Sequence, residues 1–377
     1  LLDALAANTG VSSVAELSLS PLFSRTYNSV YKAIKESFDT SNTDRKKRRK
    51  LLKNLTRTVA SVVPKPNKRP FYLIAPDTTP HPRPYSRTMP EVGYIYQPNT
   101  VAGNKPINIG HNYSIVCALP EKNGSDSSSW SIPLSGERVP IESSGVRVAS
   151  KQIKTLMSDE SLPWYGELTV VVADSTYSQR SFLFEQCKHK NLVVVARVRS
   201  NRIFYQSPPI QQEASKRGCP KKFGERFNLA DESTWHPSNE TVETKHTTRS
   251  GRQLTVTIQA WHQMLMRGTK TELMYRHPFT LMRVSVADDT DKLVWKPMWL
   301  IMMGERLSEI SPLVAYQSYR ERFGIEHFFR FGKQRLLMTQ FQTPELEHEE
   351  NWIRLVLLAY VQLWAARELA TQLPKPL

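Results

Sequence analysis

Three acids far apart along the chain stand where a hard divalent cation is readily held. Asp77 ends the apolar run FYLIAPD and Asp174 ends LTVVVAD, while Glu326 lies inside YRERFGIEHFFRFGK, Tyr319 to Lys333. A carboxylate at a strand end can bind a cation without being fully buried. Two Asp and one Glu from separate segments could hold two Mg²⁺ ions, and Mn²⁺ takes the same oxygen donors. Such a pair, about 3.5–4 Å apart, clamps the attacking and leaving oxygens of an in-line phosphoryl displacement. The plainer alternative is that each Asp caps a turn or helix.

The segment around Glu326 carries a second pattern. At about 100° per residue from Tyr319, Arg322 falls near −60°, Glu326 near −20°, Lys333 near −40° and Arg330 near +20°. Ile325, Phe328, Phe329, Phe331 and Leu336 occupy the opposite face, between about 120° and 280°. A single helix would thus pack an apolar side and present one carboxylate within a row of cations and a phenol. That row would be about 20 Å long at about 1.5 Å per residue. An ordinary solvated face, with Arg322 and Glu326 as an i,i+4 ion pair, accounts for part of this. Glu321 falls within the apolar arc and weakens the pattern.

Positioning these residues requires a substantial fold. The chain has 377 residues, 40% hydrophobic and 10% aromatic, enough for two or three domains with a sizeable core. Fifty-one Lys and Arg against 35 Asp and Glu leave a formal charge of +16, which calls for a polyanionic partner. Cys117, Cys187 and Cys219 are scattered, with neither a disulfide framework nor zinc spacing, a pattern of reducing compartments. The chain opens LLDALAANTG with no secretory signal, and its longest apolar run, Leu355 to Ala366, is too short to span a bilayer. These features set the expectation of a soluble cytoplasmic protein.

Four segments follow from the patterning. Residues 1–68 read as helical, including the cation run RKKRRK, where Lys46, Lys47, Arg48 and Arg49 are candidate phosphate contacts. Residues 69–199 alternate strands and helices, with LTVVVAD and NLVVVARVR as buried strands in a mixed α/β sheet. Residues 200–292 read as a β-rich insertion, with strands at TVETKHTT, RQLTVTIQAWH and FTLMRVSVAD. Residues 293–377 return to a buried strand, WKPMWLIMMG, then a helix opened by Ser311-Pro312 and a long closing helix.

Taken together, the order of the acids and the spacing Tyr319, Arg322, Glu326, Lys333 resemble the DDE transposases of bacterial insertion sequences. The similarity is to the branch with a Y-(2)-R-(3)-E-(6)-K signature. DTTP at Asp77, VVVADSTY at Asp174 and the insertion before the Glu helix fit the same pattern, over roughly residues 70 to 375. No family match is evident in the first 65 residues.

The resemblance implies an RNase H-like mixed sheet flanked by helices. In it Asp77, Asp174 and Glu326 would bind catalytic Mg²⁺, and Tyr319, Arg322 and Lys333 would hold phosphates of the transposon end. Trp299 matches a position where some relatives stack a Trp on a flipped base, although a buried strand also suits a core Trp. The loop KRGCPKK, with Lys216, Arg217, Lys221 and Lys222, resembles the core of an AT-hook, but Cys219 replaces its second Arg. His111 lies near the acids in the expected fold or serves as a structural histidine. The implied activity is cutting of transposon ends and joining to target DNA by a homodimer in a synaptic complex, in the bacterial nucleoid. The competing expectations are an RNase H-like nuclease that does not join ends, and a catalytically silent DNA-binding protein.

Overall fold

The computed structural model describes residues 1–38, 45–86, 88–96, 107–122, 130–208, 221–248 and 250–370. Along the chain come α1 (Leu2–Ala6), α2 (Tyr27–Glu36), α3 (Arg45–Ala60), β1 (Tyr72–Pro82), β2 (Gly93–Tyr96), β3 (Ile107–Ala118), β4 (Ile132–Val139) and α4 (Gly145–Met157). Next are β5 (Thr169–Ala173), α5 (Arg180–Gln186), β6 (Leu192–Val198), β7 (Ile203–Tyr205), β8 (Arg226–Asn228), β9 (Glu240–Thr247), β10 (Gln253–Met264), β11 (Phe279–Ala287), β12 (Met298–Met303) and α6 (Pro312–Glu321). The chain closes with α7 (Phe323–Gln334), α8 (Leu346–Ala365) and α9 (Arg367–Ala370). It folds as two compact units, one of Leu1–Tyr165 with Phe323–Leu377 and the other of Gly166–Arg322. The helical N-terminus and the closing helices therefore share a unit, and the 200–292 segment belongs wholly to the other.

In the first unit β3 is the central strand. It pairs antiparallel with β1 along one side, and with β2 and then β4 along the other. Residues directly opposite in such a ladder share a face. Asp77, opposite Ile115, thus lies on the face that also carries Tyr113 and Cys117. Those residues pack into a core with Ile325 and Phe328 of α7 and with Trp352, Val356 and Tyr360 of α8. The opposite face carries Ser114, whose hydroxyl donates to Gln152 of α4 at 2.8 Å. Ser144 caps α4 by accepting the Arg147 N–H, as its position before an amphipathic run requires. Near the start of that helix Gly145 is the residue that fits, because a Cβ there would stand 2.3 Å from the Thr78 hydroxyl.

The second unit is built on a six-strand path, β5-β6-β12-β11-β10-β9, in which β5 and β6 are parallel and the other neighbours antiparallel. All five β5 residues are buried, as a continuous Val/Ala run implies. The alternating segments form β9, β10 and β11, paired antiparallel with a register shift between Trp261 and Met264 of β10. Ser311 accepts the Val314 N–H, and Pro312 sits in the first turn of α6. Cys117 and Cys187 are buried free thiols, the latter pushed up to about 12 by burial; Cys219 lies outside the described residues. No helix among the described residues is long and apolar enough to cross a membrane.

Two expectations about local structure need correction. Asp77 does not end its strand, because β1 continues five residues to Pro82, drawn on by pairing with β3 down to Gly110. The stretch from Tyr319 to Lys333 is also not one uninterrupted helix. The segment divides into α6 and α7, with Arg322 as the C-cap between them. Its backbone stays in the right-handed helical region at φ −51 and ψ −32.

Candidate active site

The first unit contributes Asp77, Glu326 and Lys333. Asp77 is half-buried on β1, and its Oδ1 accepts the Thr78 N–H at 2.8 Å. Helix α7 packs against β1. It is anchored by Ile325 and Phe328, both fully buried, and by Gly332, where a Cβ would meet the Met338 sulfur at 3.2 Å. This leaves Glu326 and Arg330 exposed on the helix's outer side. Lys333, two turns beyond Glu326, is half-buried. Burial pulls its ammonium below the ordinary lysine value, and the negative field of Asp77 opposes that pull. Lys333 thus lies within electrostatic reach of Asp77.

Asp174, Tyr319 and Arg322 belong to the second unit. Asp174 follows β5 directly and caps a short 3-10 turn. Its Oδ1 accepts the Thr176 N–H at 2.8 Å and its Oδ2 accepts the Thr176 hydroxyl at 3.2 Å. Helix α6 packs on β5 and β6, which buries Tyr319 to 4% exposure and Arg322 to 8%. Burial pushes the Tyr319 phenol up, while the cations of Arg322 and Arg197 pull it down, the former also through a hydrogen bond. Asp174 adds a smaller upward push, so these four side chains form one electrostatic group. The expected exposed row therefore differs at this end: Tyr319 and Arg322 are covered by the packing of α6.

Arg197 escaped the sequence reading. Parallel pairing runs to Ala173 opposite Ala196, so Arg197 stands one residue past the last pair, level with Asp174. The signal was present in NLVVVARVR as the first charged residue of an otherwise apolar strand. It became interpretable only once the register of β5 and β6 was fixed.

The remaining candidates divide. Trp299 is a core residue at 4% exposure, with Trp235, Trp261 and Phe227 rings at 5.0, 5.6 and 6.1 Å between centroids. In this conformation its ring is not available to stack on a base. Lys221 and Lys222 are exposed, Lys222 lying over the Tyr275 ring at 4.7 Å; Lys216 and Arg217 fall outside the described residues. On α3, Lys46, Lys47 and Arg49 are exposed, whereas Arg48 is partly covered and paired with Glu350 of α8. His111 is buried and bonded to Glu349 at 2.8 Å.

The acids offer a donor set of carboxylate oxygens without sulfur or imidazole, which fits Mg²⁺ or Mn²⁺ and not a softer ion. The half-buried Asp77 and the exposed Glu326 stand within a single unit, on elements that pack together.

Residues 1–268 match the family described as DDE superfamily endonuclease, a stretch that contains Asp77 and Asp174. The chain belongs to the DDE superfamily endonucleases. The match begins at residue 1, so the helical N-terminus falls within the family's pattern, contrary to the expectation that the first 65 residues lacked one. It ends before Glu326, so that residue rests on the spacing of its own segment. No curated protein matches the chain. Membership carries with it a mixed α/β fold of the RNase H-like kind, the use of divalent metals that is general among DDE nucleases, and DNA as the substrate class.

Proposed function

We propose that this DDE endonuclease is the transposase of a bacterial insertion sequence, of the Y-(2)-R-(3)-E-(6)-K branch, cutting transposon ends and joining them to target DNA. The observation that carries the proposal is that α7, which bears Glu326 and Lys333, packs on β1, which bears Asp77, within one unit. The field of Asp77 at Lys333 agrees with that packing, and the signature helix and the DTTP motif of the resemblance lie on adjoining elements.

In this reading Asp77, Asp174 and Glu326 together hold two Mg²⁺ ions. When bound, the ions supply charge neutralisation on the scissile phosphate and a reactive water. The protein's own groups do the rest. Lys333 and Arg330 on α7 bind backbone phosphates next to Glu326, and the exposed Arg197 offers a second cationic contact near Asp174. Tyr319 buttresses Arg322 through its hydroxyl and is not a nucleophile. Hydrolysis at the transposon end frees a 3′-hydroxyl, which attacks target DNA in line and displaces a target 3′-oxygen, so one phosphodiester breaks as another forms. Exposed cations on α3 and the Lys221-Lys222 loop offer further phosphate contacts, each within its own unit. Two ends must be joined together, so the working form is a homodimer on DNA, acting in the nucleoid.

The test is incubation with the protein's own end sequence and a supercoiled target in Mg²⁺, with EDTA as control. End joining in Mg²⁺ alone supports transposition. Nicking without joining supports a simple nuclease, and salt-sensitive binding with neither supports a silent DNA-binding protein.

A further inference from the structure

A second group of potential ligands lies in the first unit, away from the carboxylates already described. His81 on β1 and His111 on β3 are directly opposite partners in the ladder, and Glu349 reaches them from α8. All three are buried, at 1%, 1% and 0% exposure, and their ligand atoms lie within 4.8 Å of one another. Asp77 is four residues away along β1, about 13 Å at about 3.3 Å per residue, too far to share an ion with this group.

Hydrogen-bond accounting shows why the cluster is unusual. His111 Nε2 faces the Pro90 carbonyl at 3.1 Å, and a carbonyl only accepts, so Nε2 carries the hydrogen. The other nitrogen, Nδ1, then faces Glu349 Oε1 at 2.8 Å. In a neutral ring that contact sets one lone pair against another. His81 Nδ1 lies 3.2 Å from the same oxygen in poor hydrogen-bond geometry, and neither of its ring nitrogens has a well-aligned hydrogen-bond partner among the described residues. Burial pulls this imidazole below its ordinary value, against the opposing pull of Glu349. One proton on His111 would settle one contact and leave His81 orphaned in the interior. Protonating both rings would set three cations, with Arg83, around a single buried carboxylate.

We propose that His81, His111 and Glu349 form a buried structural site for one divalent transition-metal ion of the zinc class. Both imidazoles bind through Nδ1 and the carboxylate binds through Oε1. Around such an ion tetrahedral ligands stand about 3.3 Å apart, given bonds of about 2.0–2.1 Å. His81 is already at that separation from Oε1, and His111 needs to open by about half an ångström. The supporting shell is in place. The Pro90 carbonyl orients the His111 ring, Tyr113 donates to Oε1 at 2.8 Å, and Arg83 binds Oε2 through Nε at 2.7 Å and through Nη2. A water completes four ligands. The ion ties the strand pair β1–β3 to α8 and so fixes the strand that bears Asp77.

The test uses the full chain carrying Asp77→Asn and Glu326→Gln, which removes the first unit's other candidate ligands, stripped with a chelator and titrated with Co²⁺ and Zn²⁺. The expected result is one equivalent bound, a Co²⁺ visible spectrum of the intense four-coordinate type, displacement by Zn²⁺, and no competition from excess Mg²⁺. Adding His81→Ala should weaken Zn²⁺ binding at least 100-fold. Zinc should raise the melting temperature of the parent above its value in EDTA and leave that of the His81→Ala protein unmoved. Absence of a stoichiometric ion in the parent, or equal binding after His81→Ala, overturns the proposal. X-ray absorption of the zinc-loaded parent needs no histidine variant. An imidazole-containing shell supports the site, and an all-oxygen shell contradicts it.

Discussion

Lys333, two helical turns beyond Glu326, carries an ammonium that feels the carboxylate of Asp77 while it is partly stripped of water. Burial makes the charged form of Lys333 costly, and the Asp77 carboxylate offsets part of that cost. A DNA phosphate bound at that point would offset more of it. This relationship within one unit is the strongest tie between the signature helix and the acid on β1.

Glu326→Gln should abolish DNA cleavage and joining while end binding, followed by gel shift, changes by less than a few-fold. The substitution keeps shape and exposure and removes only the charge. Glu321→Gln, at the end of α6, serves as the control and should leave cleavage intact. If Glu321→Gln is the inactive variant, the third acid has been misassigned.

Lys333→Ala and Arg330→Ala should each weaken end binding and lower the slope of log K against log salt by about 1. Arg322 is a buried partner of Tyr319, so Arg322→Ala should melt earlier than Lys333→Ala. An unchanged salt slope in both Lys333→Ala and Arg330→Ala argues against phosphate contact.

Trp299→Ala should cost about 3–5 kcal/mol of stability in urea unfolding, the usual range for emptying a buried aromatic site. Its ring packs among Trp235, Trp261 and Phe227. Trp299→Phe should retain most stability and cleave within a few-fold of the parent. Normal stability with lost cleavage in Trp299→Phe would instead restore a base-stacking role.

Arg57 clasps Asp159 through both carboxylate oxygens at 3.0 and 2.8 Å, fastening α3 to the turn after α4. Hydrogen bonds from Arg57 outweigh burial and hold this carboxyl well below the ordinary range. The folded value thus lies below the unfolded one, about 3.9. The contribution is full above about pH 4 and is lost as pH falls further toward the folded value. Asp159→Asn should lower the melting temperature by a few degrees at pH 7, on the order expected for one strong polar contact. That gap should narrow as the pH is lowered below about 4. A gap that stays constant with pH would mean the effect is packing and not charge.

Much of the fold was legible in local pattern. The all-apolar LTVVVAD and NLVVVARVR became the parallel pair β5 and β6, and the alternating insertion became β9, β10 and β11. What escaped depended on partners distant in sequence. FYLIAPD looked like a strand ending at Asp77 because the polar and Pro-rich residues that follow interrupt its apolar run; β3 carries the strand on to Pro82. A helical wheel assigned Tyr319 and Arg322 to solvent because it cannot see β5 and β6 beneath α6. His111 was visible only as an isolated histidine. Its neighbour His81 and the carboxylate of Glu349 come from 30 and 238 positions away, by the numbering of those contacts, and no short motif joins them.

The central claim is that Asp77, Asp174 and Glu326 serve the same metal ions. Anomalous diffraction from Mn²⁺-soaked crystals of the protein bound to its end DNA tests it most directly. The account predicts two manganese peaks about 3.5–4 Å apart, with oxygens of all three acids among their ligands. Peaks that engage only one or two of these acids, with the third lying in a separate environment, would contradict it.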